Sequence, residues 1–298
     1  MTDSGVVTTE PARLMDGRVC LVTGASSGIG RETALALARM GATVVMHGRD
    51  PDRAAAAADA VRKASPRGDV KLVVADLSSQ AEVRRLAAEV LDSHDSLHVL
   101  VNNAGVIRTR RELTADGLEQ TFALNHLAYF LLTELLLDRL RESAPARVVN
   151  VSSAAHARAR LDFDDLQNER RFGGMSVYGQ SKLANVLFTY ELARRLEGSG
   201  VTANCLHPGF VGTRFGTGNS GPIGWAVWLA TRLARPFALS PAKGARTTIH
   251  LATSPEVEGV SGRYFAKSTA TESSQASYNE ENARRLWVTS EQLTASTA

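Results

Sequence analysis

Short apolar runs alternate with longer amphipathic stretches from residue 18 onward. β-Branched apolar runs, which favour strands, occupy residues 18–23, 43–46, 70–74, 99–101, 147–151 and 201–206. Helical periodicity predicts helices over residues 32–40, 80–91, 115–142 and 177–196, and an alanine-rich helix with Asp50 as N-cap and Pro51 in its first position. Strands that are apolar over nearly their whole length, alternating with helices, predict a doubly wound α/β (Rossmann) fold with a parallel sheet.

No repeat, linker or change of composition divides the chain. We therefore expect one Rossmann-type domain over residues 17–298, preceded by a flexible polar arm over residues 1–16. The arm lacks an apolar core, so no secretory signal is expected. No run reaches the roughly 18 apolar residues of a membrane-spanning helix, and none is predicted.

Charge and cysteine content narrow the function. With 34 basic and 31 acidic residues the net charge is only +3, which argues against a nucleic-acid partner. The two cysteines, Cys20 and Cys205, lie in apolar runs and are interpreted as buried reduced thiols, typical of a cytoplasmic protein. The seven histidines are scattered without metal-ligand spacing, so structural roles are expected and no metal site is predicted.

A glycine-rich turn separates the first predicted strand from its helix. It reads Thr23-Gly24-Ala25-Ser26-Ser27-Gly28-Ile29-Gly30. Backbone N–H groups at this point of a parallel sheet can bind a phosphate. Gly24 permits the tight turn, Gly28 lets the backbone approach a pyrophosphate, and Gly30 lets the helix pack close to the sheet. The turn therefore predicts a dinucleotide site.

Tyr178 and Lys182 lie four residues apart near the start of a predicted helix, which places both side chains on one face. A free tyrosine has a pKa near ~10 and is a poor base at neutral pH. An adjacent ammonium favours the phenolate, so we expect Lys182 to lower the pKa of Tyr178. Ser152 and Ser153 follow the fifth strand, where a hydroxyl can polarise a substrate carbonyl or simply cap the strand end.

Further motifs occur along the chain, some directly after strands and others within predicted helices. They are Asp76-Leu77, Asn102-Asn103-Ala104-Gly105, Asn125, Ser153, Tyr178 and Lys182. With the G-x-x-x-G-x-G spacing, they resemble the short-chain dehydrogenases/reductases over residues 17–265. The chain is also similar to the retinol dehydrogenase-like branch of that family. The stretches that carry this similarity are Leu124-Asn125-His126-Leu127, Asn150-Val151-Ser152-Ser153, Ser181-Lys182-Leu183-Ala184-Asn185, His207-Pro208-Gly209, Ser277-Tyr278-Asn279-Glu280-Glu281 and Leu286-Trp287.

The resemblance implies four catalytic residues, Ser153, Tyr178, Lys182 and Asn125. Ser153 and Tyr178 would hold the substrate oxygen, Tyr178 would transfer the proton, and Lys182 would tune Tyr178 and bind the nicotinamide ribose. Ser153 is preferred to Ser152 because its spacing to Tyr178 matches that of the branch. Asn125 would hold a water behind Lys182, and the alternative is an amide satisfied within the core.

The resemblance also implies the cofactor contacts. They are Gly24, Ser26, Ser27, Gly28, Ile29, Gly30, Arg49, Asp76, Leu77, Asn103, Ala104, Gly105, Tyr178, Lys182, Pro208, Gly209, Val211 and Thr213. NAD-selective sheets usually carry an acidic residue at the end of the second strand, but Asp50 is better explained as a helix cap. Arg49, assisted by Arg31, could pair with a 2′-phosphate. The alternative is that Arg49 is a solvated turn residue. NADP(H) is therefore the expected cofactor, with NAD(H) possible.

These features predict an oxidoreductase that moves a hydride between the nicotinamide and a carbonyl or alcohol. A catalytically silent dinucleotide sensor or scaffold is the alternative, although it would not need to retain the proton-transfer groups. Epimerisation or dehydration on the same fold is a second alternative. By the same resemblance, the helices near residues 115–142 and 177–197 would form the interface of a homodimer or tetramer.

An insert after the sixth strand, residues 212–240, is interpreted as a helical lid over the substrate. Glycines open it, and an apolar stripe follows at helical spacing, formed by Trp225, Trp228, Leu229, Leu233 and Phe237. A lid of this kind implies a bulky, apolar substrate. Arg232 and Arg235 flank the stripe, so a peripheral membrane contact and plain core or subunit packing are the alternatives.

Overall fold

Eight strands form one mixed sheet in the structure, a computed structural model that describes residues 14–65, 69–211 and 238–295. The strands are β1 (Val19–Val22), β2 (Thr43–Gly48), β3 (Val70–Val74), β4 (Val99–Asn102), β5 (Ala146–Val151), β6 (Val201–His207), β7 (Tyr264–Ala266) and β8 (Thr269–Thr271). Their order is β3-β2-β1-β4-β5-β6-β7-β8. All neighbours pair in parallel except β7 and β8. The predicted doubly wound α/β fold is confirmed.

Helices cover both faces of this sheet. Those of the described residues are α1 (Gly28–Arg39), α2 (Pro51–Ala64), α3 (Gln80–Ser93), α4 (Gln120–Phe122), α5 (Ala128–Glu142), α6 (Gly174–Arg195), α7 (Pro241–Thr253) and α8 (Glu280–Thr294). One apolar core contains side chains of α1, α2 and α7, and another contains side chains of α3, α5 and α6. Because the central strands β1 and β4 are covered on two sides, their sequences are almost entirely apolar and do not alternate.

The helix predicted over residues 115–142 begins later than the periodicity indicated. Gly117 has a φ of 75°, and the peptide N–H of Thr114 bonds to the Leu118 carbonyl at 2.8 Å, so residues 114–118 form a turn. The Glu119 carboxylate then caps α4 by accepting from the N–H groups of Thr121 and Phe122. A π-turn, Ala123–Leu127, joins α4 to α5. Local capping, not hydrophobic periodicity, sets the start of this helix.

Several smaller expectations can be compared with the structure. The Asp50 carboxylate accepts from the Arg53 N–H at 3.0 Å with Pro51 in the first turn, which confirms the predicted cap. Cys20 and Cys205 are buried free thiols, and burial raises the pKa of each to about 12. The end of the expected N-terminal arm is packed, because Met15 is buried and its N–H bonds to the Met40 carbonyl.

The rest of the arm, residues 1–13, lies outside the described residues. The apolar stripe of the proposed lid and Thr213 fall within residues 212–237 and also lie outside them. No helix in the described part of the chain has the length and apolar character needed to cross a membrane.

Candidate active site

Among the described residues, the predicted site residues lie at the carboxyl edge of the sheet, where the turns after β1, β4, β5 and β6 lie side by side. Hydrogen bonds join the turns after β1 and β4. The Thr23 hydroxyl accepts from the N–H groups of Asn103 and Ala104 at 2.8 and 3.0 Å. The Asn103 side-chain amide donates to the carbonyl oxygens of Thr23 and Gly24 at 2.8 and 3.3 Å. Asn103 therefore stabilises the conformation of the glycine-rich turn.

Two glycines of that turn leave no room for a side chain. A Cβ on Gly30 would overlap the Gly24 carbonyl oxygen and lie 2.6 Å from the Asn103 amide nitrogen. Gly24 has a φ of 66°, and a Cβ there would lie 2.9 Å from the Ala104 Cα. The first turn of α1 has no side-chain cap and no acidic residue, so its N–H groups can bind an anion. The turn fits the pyrophosphate of a dinucleotide.

The end of β2 lies directly beside this turn. A Cβ on Gly48 would be 3.3 Å from the Ser26 Cβ, which puts the exposed Arg49 next to the glycine-rich turn. His47 joins three strands there. Its Nδ1 accepts from the Gly24 N–H at 3.2 Å, and its Nε2 is 2.9 Å from the Ala75 carbonyl oxygen. Nothing in the spacing of His47 suggested this supporting role.

Asp76 and Leu77 follow β3 as predicted, but their side chains contact other protein groups. The Asp76 carboxylate accepts from the N–H and hydroxyl of Ser78 at 3.0 and 2.8 Å, forming an Asx turn. The Leu77 side chain is buried in the core cluster that includes α3 and α5. Leu77 can therefore offer a cofactor its main chain but not its side chain.

Ser153, Tyr178 and Lys182 converge above the end of β5. The Ser153 side chain interacts with the Tyr178 hydroxyl and has a lowering effect on the pKa of Tyr178 that burial outweighs. The Ser153 oxygen also accepts from the Ala155 N–H at 3.2 Å. The neighbouring Ser152 is buried, and its hydroxyl donates to the Lys182 carbonyl at 2.8 Å. Because Ser152 is committed to the main chain, the geometry favours Ser153 as the serine that can face a substrate.

Lys182 lies beneath this pair. Its ammonium nitrogen donates to the Val151 carbonyl at 2.9 Å and lies 5.4 and 5.8 Å from the ring centres of Tyr129 and Tyr178. Burial lowers the pKa of Lys182 to about 7. Burial also raises the pKa of Tyr178 to about 12, against the smaller lowering effect of the Ser153 side chain. The pKa of Tyr178 therefore lies above its ordinary value and not below it as expected, because removal from water is the largest effect on this phenol.

The Asn125 side chain is fully buried in the π-turn and is satisfied by protein groups. Its Oδ1 accepts from the Val106 N–H at 2.8 Å, and its Nδ2 donates to the Val106 carbonyl and the Ser181 hydroxyl at 2.9 and 3.0 Å. Ser181 in turn donates to the Tyr178 carbonyl at 2.8 Å. These contacts correspond to the alternative of a satisfied core amide.

The turn after β6 reaches back to the glycine-rich turn. Gly209, next to Pro208, has a φ of 82°, and its N–H donates to the His207 ring at 3.2 Å. A Cβ on Gly244 of α7 would lie 2.6 Å from a Val211 methyl and 3.3 Å from Ile29. Val211 and Ile29 therefore pack on the same glycine, as expected of two residues that border one cofactor.

Gly105 and Tyr129 complete the surroundings of Lys182. A Cβ on Gly105 would lie 3.3 Å from the Asn125 amide oxygen and 3.7 Å from the Lys182 nitrogen. The buried Tyr129 hydroxyl donates to the Ala104 carbonyl at 2.9 Å. Sequence reasoning missed Tyr129, although its position one helical turn after Asn125 was an available signal. Across the described ranges, no cluster of three His, Cys, Asp or Glu side chains could hold a metal ion.

Comparison with known proteins agrees with this geometry. The family model for short chain dehydrogenases matches residues 18–220. Retinol dehydrogenase 12 of Mus musculus is 44% identical over 289 residues, covering 97% of this chain and 89% of that protein. Retinol dehydrogenase 14 of Mus musculus is 46% identical over 288 residues, covering 93% of this chain and 86% of that protein.

Solved structures show the same architecture. A protein of Mycobacterium Paratuberculosis described as uncharacterized superposes with a TM-score of 0.76 at 35% identity, covering 96% of both chains. The Pseudomonas aeruginosa RhlG/NADP active-site complex superposes with a TM-score of 0.66 at 31% identity, covering 86% of this chain and 96% of the other. Motifs, topology and relatives agree, and the chain belongs to the short-chain dehydrogenase/reductase family of NAD(P)-dependent oxidoreductases, in its retinol dehydrogenase-like branch.

Proposed function

We propose that this oxidoreductase prefers NADP(H) and interconverts a bulky, apolar alcohol and its carbonyl compound, with Tyr178 as the general acid and base. The observation that carries the proposal is that Ser153, Tyr178 and Lys182 come together at the end of β5, with Ser153 acting on the Tyr178 hydroxyl and the Lys182 nitrogen 5.8 Å from the centre of the Tyr178 ring. This arrangement offers two hydroxyl donors to one substrate oxygen.

When bound, the nicotinamide dinucleotide supplies or accepts the hydride. The protein residues bind the substrate oxygen and transfer a proton to or from it. In the reductive direction Ser153 holds the carbonyl oxygen, and Tyr178 donates its hydroxyl proton to that oxygen as negative charge develops there. The raised pKa of Tyr178, about 12, keeps the proton on the phenol at neutral pH, in the form that a general acid needs. Lys182, hydrogen-bonded to the Val151 carbonyl, stands behind the ring as the charge-stabilising group.

The preference for NADP(H) rests on the charges beside the glycine-rich turn. Asp50, the acidic residue at the end of β2, is occupied by the α2 N-cap and by an ion pair with Arg53 at 3.2 Å. Arg49 is exposed at the same corner and can offer its guanidinium to a 2′-phosphate. The surroundings therefore favour an extra phosphate over a free ribose hydroxyl.

The substrate class is inferred from exposed apolar side chains on the elements that carry the site residues. Met175, on the α6 face that carries Tyr178, is 65% exposed, and Phe210, after the Pro208-Gly209 turn, is 55% exposed. Leu239 packs on Gly209 and is also exposed. An apolar mouth favours a long hydrocarbon substrate, and the retinol named in the relatives' descriptions is an alcohol of that kind.

The test is a substrate panel with both dinucleotides. Retinal, steroid ketones, aromatic polyketide ketones and a small polar aldehyde are offered with NADPH or NADH carrying deuterium at the transferable C4 position. We expect the large apolar carbonyls to be reduced with deuterium at the carbinol carbon. Tight dinucleotide binding without deuterium transfer to any substrate would refute the proposal. A preference for the small polar aldehyde would refute the substrate class alone.

A further inference from the structure

His156 is a buried histidine that the proposed reaction leaves unexplained. It lies in a 3-10 turn, Ala154–Arg158, directly after Ser153, and only 3% of its surface is exposed. Its Nδ1 is 2.7 Å from the Ser153 carbonyl oxygen, and its Nε2 is 3.2 Å from the Ser274 peptide nitrogen. The Tyr264 hydroxyl is also 3.3 Å from Nδ1. Both ring nitrogens therefore have partners, Nδ1 in the active site and at Tyr264, and Nε2 in the C-terminal part of the chain.

These partners fix the tautomer of the ring. A peptide N–H can only donate, so Nε2 must carry the lone pair that accepts from Ser274. The ring proton is then on Nδ1, which donates to the Ser153 carbonyl. Burial lowers the pKa of His156, so the ring stays neutral and keeps this tautomer at neutral pH.

The contact acts on the residue that carries the Ser153 hydroxyl. The Ser153 carbonyl accepts from the His156 peptide N–H at 3.1 Å as well as from the ring. The Ser153 hydroxyl accepts from the Ala155 N–H at 3.2 Å and lies beside the Tyr178 hydroxyl, with which it interacts. With the carbonyl held from one side and the hydroxyl from the other, the serine has one preferred orientation.

The second contact ties this serine to a distant segment, residues 273–278. Ser273 is hydrogen-bonded to Tyr190 of α6 at 2.7 Å and to Ser277 at 2.6 Å. The Tyr264 ring centre lies 4.8 Å from that of His156 and 5.9 Å from that of His207, which precedes the Pro208-Gly209 turn. His156 thus lies where the turns after β5 and β6 meet the C-terminal segment.

We propose that His156 is a positioning residue: its neutral imidazole holds the Ser153 peptide so that the hydroxyl faces the substrate oxygen, and it couples that peptide to residues 273–278. The inference rests on the proposed function, because it takes Ser153 to be the residue that binds the substrate oxygen. It gives a role to the Ser277-Tyr278 motif, which the reaction itself does not use.

Three substitutions of His156 separate its contact with Ser153 from its contact with Ser274. His156→Ala removes both bonds. An asparagine amide nitrogen falls near the place of Nδ1, so His156→Asn keeps a donor for Ser153 and loses the acceptor for Ser274. A glutamine amide falls near Nε2, so His156→Gln does the reverse. His98→Asn is the control, since His98 accepts from the Val19 N–H at 3.0 Å at the opposite edge of the sheet.

We expect His156→Ala and His156→Gln to lower kcat by roughly 10- to 100-fold, as a misplaced catalytic group does, and His156→Asn to recover most of the loss. The dissociation constant for NADPH, followed by fluorescence of the folded protein, should stay within about twofold, because the cofactor turns are untouched. His98→Asn should leave kcat unchanged, and melting temperatures identify any variant that has lost its fold.

A double-mutant cycle with Ser153→Ala tests whether His156 acts through the serine. In the Ser153→Ala background, His156→Ala should change kcat by less than about twofold, because the group that it positions is gone. An equal loss in both backgrounds, or an unchanged kcat in His156→Ala when Ser153→Ala is impaired, would overturn the inference. If Ser153→Ala itself keeps full activity, the proposed function fails first, and the two failures are distinguished.

Discussion

Replacing Arg49 with glutamine tests how the chain distinguishes NADPH from NADH. The side chain is exposed beside the glycine-rich turn, so a bond to a 2′-phosphate would form in partial contact with water. Charge-assisted hydrogen bonds are stronger than neutral ones, and solvent screening places this one near the low end of their range. We expect Arg49→Gln to lower kcat/KM for NADPH by about 10- to 30-fold. The value for NADH, which lacks the phosphate, should change by less than about twofold.

The measurement is initial rates with each dinucleotide at one fixed salt concentration, because exposed charges are screened by ions. Arg53→Gln is the matched control. It removes the same charge four residues away, where the guanidinium is paired with Asp50 at 3.2 Å and is not aimed at the turn. Equal losses with NADPH and NADH in Arg49→Gln, or a wild-type preference for NADH, would refute the assignment of Arg49.

Three further predictions concern the glycine-rich turn, the serine pair and a buried histidine. Gly30→Ala puts a Cβ 2.6 Å from the Asn103 amide nitrogen. It should lower the free energy of unfolding, measured in urea, by about 1–3 kcal/mol, and it should also weaken dinucleotide binding. Gly173→Ala, where the nearest atom lies 3.7 Å away, should cost much less; equal effects would contradict the close approach. Ser153→Ala should lower kcat by about 100-fold, whereas Ser152→Ala should cost mainly stability, and the opposite ranking would reverse the assignment. Burial lowers the pKa of His126 to about 3, so below pH 6.5 the unfolded chain takes up a proton that the folded chain refuses. Between pH 7 and pH 5, the free energy of unfolding of the wild type should therefore fall by about 2 kcal/mol more than that of His126→Asn. Parallel curves of unfolding free energy against pH for the two proteins would contradict this.

The elements that periodicity predicted well are those with strong local signals. The strands of the parallel sheet are mainly apolar, and β3 has the predicted bounds. The start of α2 was readable because Asp50 and Pro51 specify a cap and a first turn by their own chemistry. β7 and β8 have three residues each, too few for any period to emerge.

The features that the sequence did not predict depend on burial and on contacts between distant residues. The pKa of Tyr178 was predicted in the wrong direction, because spacing reveals the neighbouring Lys182 but not the loss of water around both groups. The late start of α4 depends on the Glu119 cap, which competes with an otherwise helical pattern. His156 and Ser274 are 118 residues apart, so no local pattern could join them.

The most direct test of the central claim is Tyr178→Phe, which removes only the hydroxyl that the proposed reaction uses. Turnover of the best substrate from the panel and the dissociation constant for NADPH are measured on the same preparation. We expect kcat to fall by about 1,000-fold, since general acid catalysis is lost, while NADPH binding stays within about twofold. A Tyr178→Phe protein that keeps near wild-type turnover would contradict it.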